Sequence, residues 1–128
     1  MKRVTGIGGI FFKANDAEAL RAWYQRHLGI DVQAWGGTAF RWTGADGLAA
    51  AGTTVWSITA ADSAQFQPGQ ASFMINYRVE NLDALVTALR QEGCQVLNNV
   101  EESEYGKFAW VVDPEGHKVE LWEPPAGS

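Results

Sequence analysis

The chain has 128 residues, of which 46% are hydrophobic and 20% are charged, and its formal net charge is −5. This length and composition fit one folded domain with a single core and exclude a disordered chain. The acidic balance argues against nucleic acid and membranes as partners, because no basic stripe is present to replace phosphate counterions. No apolar run reaches the roughly 20 residues of a membrane span, and the first residues lack the apolar region of a signal peptide, so we expect a cytoplasmic protein.

The first half of the chain predicts a strand, a helix and three short strands. The helix runs from about Asp16 to His27, and Asn15 or Asp16 can accept hydrogen bonds from the free N–H groups of its first turn. Gly29 supplies the left-handed conformation that ends this helix. Residues 44–52 are predicted to form a mobile hairpin loop. The strand candidates after the helix are Ile30–Trp35, Ala39–Thr43 and Thr53–Thr59.

The second half predicts the same order of elements. Residues 73–79 alternate in the way that is typical of a strand with two different faces. The helix that follows runs from about Asn81 or Leu82 to Glu92, and Gly93 ends it. The strand candidates after this helix are Gln95–Val100, Phe108–Asp113 and Lys118–Glu123.

The two halves are similar to each other. Residues 10–20, IFFKANDAEAL, align with residues 75–85, INYRVENLDAL, and the same elements follow each segment. An internal repeat of this kind predicts two copies of one structural unit. We therefore predict a single domain over residues 1–128. It contains two βαβββ modules, at about 4–59 and about 72–123, joined by a linker at about 60–71.

The segment YGKFAWVVDPEGHKVELWEP at residues 105–124, in a chain of two such modules, resembles the vicinal-oxygen-chelate superfamily. That superfamily includes glyoxalase I, bleomycin-resistance proteins and extradiol dioxygenases. The resemblance implies an α+β fold in which paired, curved, mostly antiparallel sheets form a cup with helices outside. For many members it also implies that one divalent metal chelates two adjacent substrate oxygens and stabilises an oxyanionic intermediate.

Most of the metal ligands that this resemblance implies are missing. Metal-dependent relatives place one ligand, usually His, on the first strand of each module, and those positions are Gly9 and Met74 here. Glycine has no side chain, and a thioether prefers soft metals. Glu120 occupies the ligand position on the last strand, whereas the last strand of the first module offers no His, Asp, Glu or Gln. We therefore expect no cofactor and no native metal site, and a divalent metal held by Glu120 is the alternative.

The side chains expected to face the cup suit a small, flat, partly apolar ligand. Glu120 is the candidate catalytic residue, and its carboxylate could pair with Arg78, contact a ligand, act as a general base or remain a metal ligand. The acidic run at residues 101–104 is expected to be a solvated loop or the rim of a site for a cationic ligand, and Cys94 is expected to be a buried thiol. The candidate ligand-binding residues, each of which could instead be ordinary core, are Phe11, Trp42, Trp56, Met74, Asn76, Arg78, Trp110 and Trp122.

Three functional hypotheses follow from these features. The first is a metal-independent protein, expected to be a homodimer, that binds a small aromatic or cationic molecule. The second is an enzyme, either a glyoxalase-like lyase or isomerase or a dioxygenase-type member, that uses Glu120 as a base or a metal ligand. The third is a module that binds a protein partner and retains only a vestigial cup.

Overall fold

The structure, a computed structural model, describes residues 3–126. Within that range the chain forms eight strands, two α-helices and a short 3-10 helix at Ala64–Phe66. The first half contains β1 (Val4–Ala14), α1 (Ala17–Leu28), β2 (Gly37–Thr43) and β3 (Ala49–Ala60). The second half contains β4 (Phe73–Val79), α2 (Leu82–Gln91), β5 (Gln95–Val96), β6 (Glu101–Ser103), β7 (Gly106–Val112) and β8 (Lys118–Glu123).

The strands join into one mixed sheet in the order β2-β3-β1-β4-β8-β7-β5, and β6 also pairs with β7. Within each half the first and last strands are parallel, β1 with β3 and β4 with β8, and the other pairs are antiparallel. The two halves meet where β1 and β4 pair antiparallel. This α+β architecture, with mostly antiparallel strands and helices outside, confirms the predicted fold class.

Both helices begin and end at the residues whose chemistry predicts a boundary. Asp16 accepts a hydrogen bond from the Ala19 N–H at 3.0 Å at the start of α1, and Gly29, with φ of 68°, ends it. Asn81 caps α2 in the same way, accepting from the N–H three residues later at 3.1 Å. These side-chain oxygens satisfy N–H groups that have no partner inside the helix. The two predicted helices are confirmed.

The main apolar core lies between α2 and the second half of the sheet. It consists of Val79, Leu82, Leu85, Val86, Ala109 and Leu121, all of them buried. Helix α1, by contrast, has no buried residue among those described. Tyr24 of α1 contacts the rings of Phe12 and Trp56, and Arg21 donates a hydrogen bond to the Ile58 carbonyl at 3.1 Å. The second half is therefore the better packed of the two.

Several connections differ from the predictions. Ile30–Trp35 is not a strand, because its N–H groups bond locally; the Val32 N–H, for example, donates to the Ile30 carbonyl at 3.0 Å. Residues 44–52, predicted to be a loop, form a tight turn and the start of β3. The strand predicted at Gln95–Val100 is only two residues long, and the acidic run supplies β6. Cys94 is exposed rather than buried, because it follows α2 in an exposed turn.

None of the helices in the described range is long and apolar enough to cross a membrane.

Candidate ligand-binding cup

One face of the sheet encloses a cavity of about 730 Å³, which we call the cup. Its lining comes from both halves of the chain and from both borders of the sheet, so the sheet curls around it. The volume falls in the range of about 300–1,000 Å³ that is usual for small-molecule sites. Aromatic side chains dominate the walls, namely Phe11, Trp35, Tyr105, Phe108 and Trp122. The polar side chains of the lining include Asn76, Glu104 and Glu120.

Glu120 lies inside the cup because strand register places it between Asn76 on β4 and Trp110 on β7. Asn76 Nδ2 donates a hydrogen bond to Glu120 Oε1 at 2.6 Å, and Trp110 Nε1 donates one to Oε2 at 2.9 Å. Burial raises the pKa of Glu120 above its usual value, and these two N–H donors offset part of that effect. Amide and indole N–H groups therefore orient the carboxylate, and the ion pair with Arg78, one of the alternatives considered for Glu120, is not formed.

The Asn76 side chain reaches Glu120 because Gly8 leaves room for it. The pairing of β1 with β4 shifts register at this point, which is a β-bulge. A Cβ atom at Gly8 would overlap Asn76 Oδ1 and would lie 2.8 Å from the ring of Trp122. Asn76 is only 2% exposed, and its Oδ1 has no hydrogen-bond partner within the described residues. The cup therefore contains a buried acceptor beside the carboxylate.

Two cationic side chains near the cup are held against aromatic rings. The guanidinium carbon of Arg78 lies 5.0 Å from the ring centroid of Trp42 and 5.3 Å from that of Trp122. Lys118 Nζ lies 5.3 Å from the ring of Trp110 and donates a hydrogen bond to a backbone carbonyl of the 3-10 helix at 2.7 Å. Burial lowers the pKa of both cations. Arg78 and Lys118 thus support the aromatic walls, and neither is part of the lining.

The cup does not fit a divalent metal. Both carboxylate oxygens of Glu120 already accept N–H hydrogen bonds. The nearby lining positions on β1 and β3 are Gly8, Thr53 and Val55, none of which offers a carboxylate or an imidazole. Within residues 3–126, no group of three or more His, Cys, Asp or Glu side chains could hold a metal ion. Divalent ions in proteins need several converging donors, so the ligand set required for metal-chelate chemistry is missing here.

The structure separates the predicted site residues into three groups. Four of them line the cup directly: Phe11, Asn76, Glu120 and Trp122. Four more lie beside or behind the lining: Trp42, Met74, Arg78 and Trp110. Trp56 is on the opposite face of the sheet, where its ring centroid lies 5.7 Å from that of Phe12 and 5.2 Å from that of Tyr24. Trp56 therefore supports α1 and is not part of the cup, while ligand binding by the lining residues stays a prediction.

Three lining residues, Trp35, Glu104 and Tyr105, are not among the predicted ligand-binding residues. Glu104 and Tyr105 occupy the turn between β6 and β7, and Trp122 Nε1 fixes that turn by donating to the Tyr105 carbonyl at 2.7 Å. Trp35 enters the lining from the segment before β2, on the other side of the cavity. The acidic run before Tyr105 is the sequence feature that points to this part of the cup. The rim of a cationic-ligand site is one of the two interpretations of that run, and a solvated loop is the other.

A cup on a mixed sheet built from two related modules is the architecture of the glyoxalase/bleomycin resistance/dioxygenase superfamily, as the sequence resemblance predicts. Within that superfamily, the chain belongs to the glyoxalase-like domain family, which matches residues 9–122. No curated protein matches the chain.

Solved structures of several relatives share the fold. A methylmalonyl-CoA epimerase variant from Streptomyces coelicolor, solved with 2-nitronate-propionyl-CoA, is 17% identical, with a TM-score of 0.69 over 98% of each chain. The methylmalonyl-CoA epimerase from Mycobacterium tuberculosis is 20% identical, with a TM-score of 0.60 over 95% of this chain and 89% of that one. A superfamily member from Vibrio splendidus 12B01 is 12% identical, with a TM-score of 0.57 over 91% and 97%. At these identities the likeness shows the fold alone.

Proposed function

We propose that this protein binds a flat aromatic molecule that carries a positive charge, without using a metal. The observation that carries the proposal is the composition of the lining. The lining combines aromatic rings with two carboxylates, Glu104 and Glu120, and none of the described lining residues is Lys or Arg. Planar aromatic ligands stack on such walls, and cations are attracted to the faces of aromatic rings.

The electrostatics of Glu120 favour a cationic ligand. A buried carboxylate costs free energy unless a cation or several donors compensate for the lost hydration. Asn76 and Trp110 provide two hydrogen bonds, yet burial still raises the pKa of Glu120. A ligand cation in the cup would stabilise the charged carboxylate, whereas an anionic ligand would be repelled by it.

Isothermal titration calorimetry with three acridines of similar shape tests this proposal. 9-Aminoacridine is a cation near neutral pH, acridine is neutral and acridine-9-carboxylate is an anion. We expect the cation to bind most tightly and the anion most weakly, and we expect addition of EDTA to leave the affinities unchanged.

A pair of variants assigns the charge preference to the cup. Glu120→Gln should weaken binding of 9-aminoacridine at least tenfold and change acridine binding little. Glu115→Gln is the matched control, because Glu115 lies in the exposed turn between β7 and β8. Tighter binding of the anion, or a Glu120→Gln variant that binds the cation normally, would refute the proposal.

A second candidate function is proton transfer by Glu120. A carboxyl group with a raised pKa in an apolar cavity suits general acid–base chemistry, and epimerases are among the solved structures that share the fold. The two candidates differ in the fate of the ligand. Incubation of the protein with a bound compound, followed by mass spectrometry and chiral chromatography, distinguishes binding from conversion, and conversion should disappear in Glu120→Gln.

A further inference from the structure

We propose that the natural ligand of the cup carries two cationic groups, one at each end of a flat aromatic body, and that the inner group bears at least two N–H donors. This inference rests on the proposed function and specifies the class of ligand. It follows from the positions of the two carboxylates, the surface between them and the hydrogen-bonding capacity around Glu120.

The two carboxylates lie at different levels along β7. Glu120 is inside, at the level of its strand partner Trp110, whereas Glu104 is exposed in the turn that Gly106 closes. Trp110 follows Gly106 by four positions along β7, which corresponds to about 13 Å at the usual rise of a strand. A ligand whose cationic centres are about 10 Å apart could therefore approach both carboxylates at once.

The surface between the carboxylates is aromatic. Phe108 and Trp122 stack with ring centroids 6.0 Å apart and ring planes only 5° apart. The hydrogen bond from Trp122 to the Tyr105 carbonyl places the turn that carries Glu104 next to these rings. A rigid aromatic body would lie along this wall and lose little conformational entropy on binding.

The inner end of the cup requires N–H donors. Each carboxylate oxygen of Glu120 accepts one protein hydrogen bond, which leaves further lone pairs for a ligand. The Asn76 amide is only 2% exposed; it donates to Glu120 on one side and packs against Gly8 on the other, so a ligand donor would reach the carboxylate rather than the amide. An amidinium, a guanidinium or a primary ammonium provides at least two N–H donors, whereas a quaternary ammonium provides none.

A matched series of biphenyls tests the proposal by calorimetry. The series consists of biphenyl-4-amidine, biphenyl-4,4′-diamidine and biphenyl with trimethylammonium groups at both 4-positions. We expect the diamidine to bind at least tenfold more tightly than the monoamidine, and the bis-quaternary compound to bind more weakly than the diamidine. Glu104→Gln should reduce the affinity for the diamidine to that for the monoamidine without changing monoamidine binding.

Two controls separate this inference from the proposed function. Glu102→Gln changes a carboxylate of β6, just before the turn that carries Glu104. Glu102 lies opposite Lys107 in the sheet and is not in the lining, so this substitution should change neither affinity. If the mono- and diamidine bind equally, or if Glu104→Gln does not affect their ratio, the two-cation proposal fails while the proposed function stands. Equal binding of the bis-quaternary compound refutes the N–H requirement. Unsubstituted biphenyl is the neutral reference compound. If it binds as tightly as biphenyl-4-amidine, and Glu120→Gln does not change the affinity for the amidine, the proposed function fails as well.

Discussion

Substitution of Gly8 by alanine tests whether the absence of a side chain on β1 holds the carboxylate of the cup in place. The backbone at Gly8 has no positive φ, so alanine introduces no strain of that kind. Its Cβ atom, however, would overlap Asn76 Oδ1 and would lie 2.8 Å from Trp122 and 3.0 Å from Arg78. Asn76 would have to move away, and Glu120 would lose one of its two hydrogen-bond donors.

The expected cost has two parts. Overpacking of a tight site costs about 1–3 kcal/mol, and the loss of a donor to a buried charged group costs about 1–3 kcal/mol. We therefore expect Gly8→Ala to lower the free energy of unfolding by about 2–6 kcal/mol, measured by urea denaturation. Gly44→Ala is the control, since an added Cβ there would contact only the side chain of Asp46 closely, and its effect should stay within about 0.5 kcal/mol.

A double-mutant cycle decides whether Asn76 transmits the effect. In an Asn76→Ala background the main overlap is gone, so Gly8→Ala should cost at least about 1 kcal/mol less than in the wild type. Strictly additive effects of the two substitutions would contradict this account of the β-bulge, because they would mean that Asn76 does not respond to the added methyl group.

Three further predictions concern pH, the mouth of the cup and the helices. Burial raises the pKa of Glu120 in the folded state, so the fold favours the protonated carboxyl and loses stability as pH rises through the folded pKa. When urea unfolding is measured between about pH 4 and pH 8, the free energy of unfolding of Glu120→Gln should therefore rise relative to that of the wild type as pH rises. Trp122→Phe removes the hydrogen bond to the Tyr105 carbonyl, so amide exchange in the β6–β7 turn should speed up, and unchanged exchange would exclude this role. Asn81→Ala should lower the free energy of unfolding by about 1 kcal/mol, because α2 covers the main core. Asp16→Ala should chiefly increase amide exchange in α1, because α1 buries no described residue. Equal effects of the two substitutions on the free energy of unfolding would contradict this difference in packing.

Local chemistry made the helices predictable from the sequence, whereas the fold class was implied by the resemblance to the superfamily. Asp16 and Asn81 cap helices because of their short side-chain oxygens, and these contacts depend on residues only a few positions away. The last two strands are similarly defined by their apolar pattern and by the turn between them. The resemblance implies a functional position at Glu120 on β8, and Glu120 lies in the lining of the cup; its role stays a prediction.

The orientation of residues in the first half depends on contacts that are distant in the sequence. Trp56 is predicted from the sequence to line the cup. Because β3 carries apolar side chains on both faces, the sequence pattern does not indicate which face is which. In the structure Trp56 lies on the face that packs against α1. The resemblance puts the family's metal-ligand position on β1 at Gly9, whereas the β-bulge brings Gly8 into the lining. The place of Glu104 in the lining depends on a three-residue edge strand, whose pairing no local pattern determines.

The antiparallel pairing of β1 with β4 has an implication for the origin of the chain. These are the equivalent first strands of the two modules, and antiparallel pairing of equivalent strands relates their modules by an approximate twofold rotation. Two identical polypeptides of half this length would associate in the same isologous manner. The two modules make unequal contributions to the single cavity: the first contributes the bare backbone of Gly8, whereas the second contributes the amide of Asn76 and the acid of Glu120.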